Sequence, residues 1–271
     1  MCIVTGASSG LGDRFARVLH ANGARVVACA RRIHRLQQLE QECSGIVAVQ
    51  CDVTIEADRQ ALVERAMQVC GRIDVLVNNA GISLEDGQPA TAITQPIFLK
   101  MMDVNVNAVF FLTQTVAKIM LRQKEPNPSK RGTIINISSI HGFHASAPNF
   151  QVAYATSKAA VNNMTRELAI QWAVRGVRVN GLAPGYFPSE IHQSQAMPAE
   201  MKVGGGTGDT ANVLDPEGKK NPYSEHILGS ISMGRLGEAH ELDGALLYLA
   251  SEASSYVTGQ TMIVDGGWTH K

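Results

Sequence analysis

Tyr154 and Lys158 lie four residues apart in the run Tyr154-Ala155-Thr156-Ser157-Lys158, a spacing that puts a phenol beside an ammonium on one turn of helix. A free tyrosine titrates near pH ~10 and shuttles protons poorly at neutrality. A neighbouring cation favours the phenolate and should draw that pKa toward the working range, which makes the pair an acid–base catalyst. Of the five tyrosines only Tyr154 has a lysine at this spacing. The bland alternative is a half-buried tyrosine next to a solvated lysine.

A second chemical signal stands near the start of the chain. Thr5-Gly6-Ala7-Ser8-Ser9-Gly10-Leu11-Gly12 follows the apolar run Cys2-Ile3-Val4 and precedes Arg14 to Leu19, whose apolar residues have helical spacing. Strand, glycine turn, helix and a second buried strand over Gly23 to Ala30 make a βαβ unit. Glycines at such a turn let a pyrophosphate approach the backbone, and the helix N-terminus offers it free N–H groups and a positive dipole end. The spacing is G-x-x-x-G-x-G, so the usual dinucleotide fingerprint fits only approximately. Gly6 to Gly10 also satisfies G-x-S-x-G, the elbow of a serine hydrolase. An elbow serine follows several strands, whereas only one short apolar run precedes this turn, so the hydrolase is the weaker reading.

These residues need a scaffold that brings both signals to one place. Strand-like runs recur at Ile46 to Gln50, Ile73 to Val77, Thr133 to Ile137, Val177 to Asn180 and Thr261 to Val264, with helical stretches such as Ala57 to Val69 and Ala155 to Ala173 between them. Alternation of this kind predicts an α/β fold: a Rossmann-like, doubly wound parallel sheet with helices on both faces. One domain over residues 1–271 is expected, with the ligand at the carboxyl ends of the strands. The stretch Ser189 to Ser230, punctuated by Gly204-Gly205-Gly206, Asp215-Pro216 and Asn221-Pro222, has no sustained period and reads as a substrate-covering lid.

Composition narrows the classes. The 24 basic and 24 acidic residues cancel, so no nucleic-acid or anionic-membrane partner is expected. Apolar stretches such as Val104 to Val116 are interrupted by polar residues and fall short of the ~20 needed to span a bilayer. Five cysteines without C-x-x-C or metal-ligand spacing read as reduced thiols, and no metal site is expected. With no leader-like segment before the first strand, a cytoplasmic location is expected.

Six stretches in order now resemble the short-chain dehydrogenase/reductase family over nearly the whole chain. They are T-G-A-S-S-G-L-G at 5–12, Cys51-Asp52-Val53, Asn78-Asn79-Ala80-Gly81, Asn136-Ile137-Ser138-Ser139, the Tyr154–Lys158 run, and Pro184-Gly185-Tyr186-Phe187-Pro188-Ser189. The resemblance implies hydride transfer between a nicotinamide cofactor and a secondary alcohol or ketone. It makes Tyr154 the general acid or base, Lys158 the group that lowers the Tyr154 pKa and holds the nicotinamide ribose, and Ser139 the donor that polarises the substrate carbonyl. Asn105 matches the asparagine that holds a proton-relay water, and Asn107 would face elsewhere. Gly6, Ser8, Ser9, Gly10, Leu11 and Gly12 would cradle the cofactor phosphates. Asp52 and Val53 would meet the adenine, Asn78, Ala80 and Gly81 the adenosine side, and Pro184, Gly185 and Ser189 the carboxamide end.

The cofactor type turns on the end of the second strand. An acidic residue there would mark NAD(H); this chain has Ala30 followed by Arg31 and Arg32, and guanidinium groups suit a 2′-phosphate, so NADP(H) is favoured. Ser139 and Tyr154 are separated by a longer stretch than the family pattern leads one to expect, giving a loop with His141, His144 and Pro148 that reads as substrate pocket. The substrate resembles that of polyol or sugar dehydrogenases and of 3-oxoacyl reductases equally. A homotetramer is expected from the apolar helices at Val104 to Val116 and Ala155 to Ala173. A family member that binds nucleotide without turnover is the remaining alternative.

Overall fold

Short apolar runs bounded by polar breaks become strands when both their faces are to be covered. Strands β1 (Cys2–Thr5), β2 (Val26–Ala30) and β4 (Val75–Asn78) are buried along their whole length. They join β3 (Ile46–Gln50), β5 (Gly132–Ile137), β6 (Val177–Pro184) and β7 (Thr261–Val264) in one sheet of order β3-β2-β1-β4-β5-β6-β7. Every neighbouring pair is parallel, as the strand–helix alternation requires. The computed structural model describes residues 1–85, 87–124, 130–145, 150–188 and 222–270.

Helices cover both faces. On one side α1 (Gly10–Ala21), α2 (Ile33–Glu42) and α8 (Asp243–Ala250) close a core through Phe15, Leu36, Leu39 and Leu246. On the other, α3 (Glu56–Cys70), α5 (Ala108–Met120) and α6 (Val152–Trp172) bury Leu62, Leu112, Val116 and Leu168. The chain winds outward from β1 to β3 and then returns to β4 beside β1. Loops after these two strands therefore diverge, and a cleft opens at their carboxyl ends.

Some boundaries differ from the expectation. The second strand begins at Val26, because Gly23 with φ of 86° terminates the turn after α1. The fourth begins at Val75 rather than Ile73, and β6 continues to Pro184 along β7. Helix α4 (Gln95–Met102) runs through a π turn at Asp103–Asn107 into α5, making one continuous 26-residue helix where the expected apolar stretch covered only Val104 to Val116. By length and composition alone that helix could span a bilayer, yet its buried positions pack on the sheet. The covering segment lies outside the described residues over 189–221; its last nine residues form α7 (Pro222–Ser230), because Pro222 suits a first helical turn.

A buried polar ladder crosses the sheet between α5 and α6. Asn78 Nδ2 donates to Thr113 Oγ1 at 2.8 Å and to Asn136 Oδ1 at 2.9 Å, and Asn136 Nδ2 donates to Thr165 Oγ1 at 2.9 Å. The pairing of Asn78 with Asn136 across β4 and β5 puts both amides in register. Buried amides must be bonded, and these satisfy one another.

Candidate active site

The glycine turn is held by the next loop along the cleft. Thr5 Oγ1 accepts the N–H groups of Asn79 and Ala80, each at 2.9 Å, and Asn79 Nδ2 donates back to Thr5 O. Gly6 has φ of 67°, which L side chains rarely adopt, and a Cβ there would come within 2.9 Å of Ala80 Cα. A Cβ on Gly12 would sit 2.3 Å from Gly6 O, so only glycine lets α1 start this close to the turn. Ser9 begins that helix without capping it through its side chain, which leaves the first-turn N–H groups to meet an anion. Arg32 lies over the turn, donating to Ser8 Oγ at 3.2 Å and Ser9 Oγ at 2.6 Å, and Arg31 is exposed beside it.

Asp52 lies after β3 on the same rim. Burial pushes its carboxyl up, but the Thr54 N–H and hydroxyl at 3.0 and 2.7 Å, with Arg31 and Lys100 behind them, hold it below the usual range. This loop, Val53 and the rim arginines give the cleft a donor-rich, cationic end. Backbone N–H groups, serine hydroxyls and guanidinium groups are the donors a dinucleotide needs, and the Gly6–Gly12 cradle has no room for side chains in its place.

At the other end the catalytic candidates converge. Ser139, just past β5, hydrogen-bonds to the Tyr154 phenol. Gly142 makes this possible: a Cβ there would lie 2.9 Å from the Lys158 carbonyl carbon, so the Ile140–Gly142 turn can press flat against α6. Lys158 Nζ donates to Ile137 O at 2.9 Å and lies 5.6 Å from the centre of the Tyr154 ring. Ser138 turns the other way and donates to Lys158 O, as strand alternation demands.

The protonation states differ from the sequence expectation. Burial pushes the Tyr154 phenol up to about 12, with the Ser139 hydrogen bond pulling back down. Burial pushes the Lys158 ammonium down to about 8. Lys158 was expected to lower the tyrosine, but both groups have lost water, and that loss is the largest cause acting on each.

Asn105 sits in the π turn, where the wider backbone spiral turns its amide inward and leaves Asn107 exposed. Its Oδ1 accepts Ile82 N, and its Nδ2 donates to Ile82 O and Ser157 Oγ. It therefore ties the loop after β4 to α6. Gly81 lies between Asn105 Oδ1 and Lys158 Nζ. The Asn78 side chain points into the ladder rather than the cleft, so only its backbone can face a ligand. Pro184 and Gly185 end β6, where Gly185 N donates to Val264 O. Ser189 and Pro148 lie outside the described residues.

Thr5, Asn79, Tyr186, Trp268 and Glu85 have no assigned role in the sequence reading. Thr5 and Asn79 lock the turn, and their adjacency to the glycines was the available signal. Tyr186, His141, His144 and Trp268 form an aromatic wall beside Tyr154: His141 packs edge-on against Tyr154 at 6.4 Å, Tyr186 at 5.8 Å and Trp268 at 5.7 Å. Trp268 also meets His144, and its Nε1 donates to Ser230 at the end of α7. The wall and the Tyr154 corner share one end of the cleft. Glu85 lies beneath α6 with no sequence signal at all.

A seven-stranded parallel sheet with a glycine turn at its switch point defines a nucleotide-binding α/β protein. Comparison then fixes the family. The family model for short chain dehydrogenases matches residues 1–199, and that for enoyl-(acyl carrier protein) reductase matches residues 205–269. Galactitol 2-dehydrogenase (L-tagatose-forming) of Cereibacter sphaeroides is 35% identical, covering 98% of this chain and 93% of that protein. Gluconate 5-dehydrogenase of Gluconobacter oxydans is also 35% identical, with the same coverage. The crystal structure of a gluconate 5-dehydrogenase from Burkholderia cenocepacia in complex with NADP and tartrate superposes with a TM-score of 0.80 at 31% identity, covering 100% of this chain and 95% of that one. The chain belongs to the short-chain dehydrogenase family. It is an oxidoreductase interconverting an alcohol and a ketone with a nicotinamide cofactor, and the serine-hydrolase reading of Gly6 to Gly10 has no support.

Proposed function

We propose that this chain interconverts a small polyhydroxylated alcohol and its ketone with NADP(H), using Tyr154 as the acid–base group. The observation that carries the reading is the convergence of Ser139, Tyr154 and Lys158 at the end of β5. A bound nicotinamide supplies or accepts the hydride. The protein's own groups then have defined tasks. Ser139 donates to the substrate oxygen, Tyr154 gives its proton to that oxygen in reduction or takes it in oxidation, and Lys158 holds the replacement proton. Tyr154 starts protonated in the buried site, which suits the reductive direction. The amide of Asn105 is engaged on both sides, so a relay water would be held by the main chain of the π turn.

The polyol class is supported by the names of two relatives and by the aromatic wall, whose flat faces can pack against the C–H side of a polyol while ring edges and hydroxyls meet its oxygens. NADP(H) is favoured over NAD(H) by Arg31 and Arg32 at the end of β2, and by the cofactor in the Burkholderia relative. Gly6, Ser8, Ser9, Gly10, Leu11 and Gly12 would hold the phosphates, with Asp52, Val53, Asn78, Ala80 and Gly81 along the adenosine and Pro184, Gly185 and Ser189 near the carboxamide.

We read residues 1–271 as one catalytic domain in which the segment 189–230 covers the substrate, working in the cytoplasm. Ile170, Leu99 and Phe111 on α6, α4 and α5 are 77, 54 and 45% exposed, an apolar surface that fits a homotetramer. The decisive experiment is a screen of galactitol, gluconate and a 3-oxoacyl thioester with both cofactors, followed by nicotinamide absorbance. Polyol or sugar-acid turnover faster with the phosphorylated cofactor is the expected result. Turnover of the thioester alone would move the substrate class, and cofactor binding without any turnover would leave only a nucleotide-binding role.

A further inference from the structure

We propose that Glu85 is a positioning residue for the Tyr154 acid–base group, holding the first turn of α6 from the loop that follows β4. Glu85 is 0% exposed, and its two carboxylate oxygens accept the backbone N–H groups of Ala153 and Tyr154, each at 2.8 Å. A buried carboxylate is costly unless fully bonded, and here both oxygens are aimed at one helix terminus. The helix lacks an alternative: its N-cap residue Gln151 makes no side-chain capping bond. The cap therefore comes from a residue 69 positions before Tyr154 in sequence, directed at the N–H of the residue that carries the phenol.

The same loop is tied to α6 a second time, one turn further along. Asn105 joins Ile82 to Ser157, three residues beyond Tyr154, and Ser157 Oγ donates to Tyr154 O. Glu85 and Asn105 thus bracket Tyr154, one holding its N–H and the other bonded to the serine that holds its C=O. A bridge between Gly87 and Phe150 pins the approach to the helix beside the carboxylate. The loop begins at Asn79 and Ala80, which are bonded to Thr5 of the glycine turn. Hydrogen bonds at both ends of this loop therefore join the glycine turn to the backbone of Tyr154, and those made by Glu85 are the last of them.

The inference rests on Tyr154 being the acid–base group. It is tested with Glu85→Gln and Glu85→Ala, using the alcohol of highest turnover in the screen above, well below each variant's Tm. A carboxamide keeps one acceptor and alanine keeps none, so kcat should fall by about 10-fold in Glu85→Gln and up to roughly 100-fold in Glu85→Ala, with NADP(H) affinity within about twofold. The isotope effect on kcat with the carbinol-deuterated alcohol should rise in the same order, since the chemical step has become slower. If Glu85→Ala does not fold, Glu85→Gln decides alone. A kcat within about twofold of the parent, whatever the loss in Tm, or an equal loss of cofactor affinity, would reduce Glu85 to a helix cap. Tyr154→Phe serves as the control: if it stays active, the acid–base assignment fails independently of Glu85.

Discussion

The glycine end of the cleft and the Tyr154 end are built from different materials. At Gly6 to Gly12 the shape is made by backbone, through a left-handed φ and contacts that leave no space for a Cβ. At Ser139, Tyr154 and Lys158 the shape is made by buried side chains, with Lys158 Nζ bonded to Ile137 O and Ser139 Oγ accepting the His141 N–H. The glycine turn itself is damaged by adding atoms, and damage of that kind should appear as lost affinity and stability together. The Tyr154 end can be emptied of its chemistry without disturbing the fold, because each functional atom is the tip of a side chain whose stem is packed.

The largest expected effect separates the two ends. Tyr154→Phe removes one oxygen from the catalytic end and should lower kcat by roughly 10²–10⁴-fold while NADP(H) affinity and Tm stay near the parent values. Isothermal calorimetry beside steady-state rates checks it; a parallel loss of affinity would erase the distinction.

Lys158→Met should abolish turnover and yet raise stability. Lys158 titrates at about 8 in the fold against an ordinary value of 10.5. Below pH 8 both states carry the charge, and burying it weakens the fold by on the order of 3 kcal/mol. As pH rises from about 8 toward 10.5 the unfolded chain holds more protons, so the parent's stability should climb, whereas the methionine variant's should not. Urea melts between pH 7 and 10 measure this, stopping where the raised Tyr154 begins to act with the opposite sign.

Arg31→Ala at the glycine end should weaken NADP(H) by about 1.5–3 kcal/mol and NAD(H) far less, since a charge-assisted phosphate contact is lost. Equal losses for both cofactors would make Arg31 a surface residue. The smallest and least separable effect is Gly12→Ala, in which the added methyl meets Gly6 O: a stability loss of about 1–3 kcal/mol should come with weaker binding of both cofactors, read by thermal melts with and without nucleotide.

The sheet and the glycine turn were legible because they depend on local pattern. Apolar runs such as Val26 to Ala30 have few other fates, and glycines between strand and helix this early in a chain favour a phosphate cradle over a nucleophile elbow. Tyr154 and Lys158 were legible as neighbours because helical spacing is a property of the chain itself. Their proton affinities were not, because burial comes from packing against Ile137, Ser139 and Gly142, which no spacing rule encodes. Glu85 shows the limit most clearly. One acidic residue in a polar loop looks like any solvated carboxylate until the fold carries it beneath α6. Trp268 likewise joins the wall only because β7 runs beside β6 and returns its following turn to the cleft.

The polar ladder of Asn78, Thr113, Asn136 and Thr165 has a consequence for recombination with relatives. Its four members are spread over 88 positions of sequence but answer to one another, so any gene fusion whose junction falls between residues 78 and 165 draws the set from both parents. A parent with an aliphatic residue at one of these places would strand an amide inside the sheet of the hybrid. Hybrids joined before residue 78 or after residue 165 keep the set whole. The boundary between tolerated and lethal crossovers should therefore follow these four side chains rather than the ends of strands or helices.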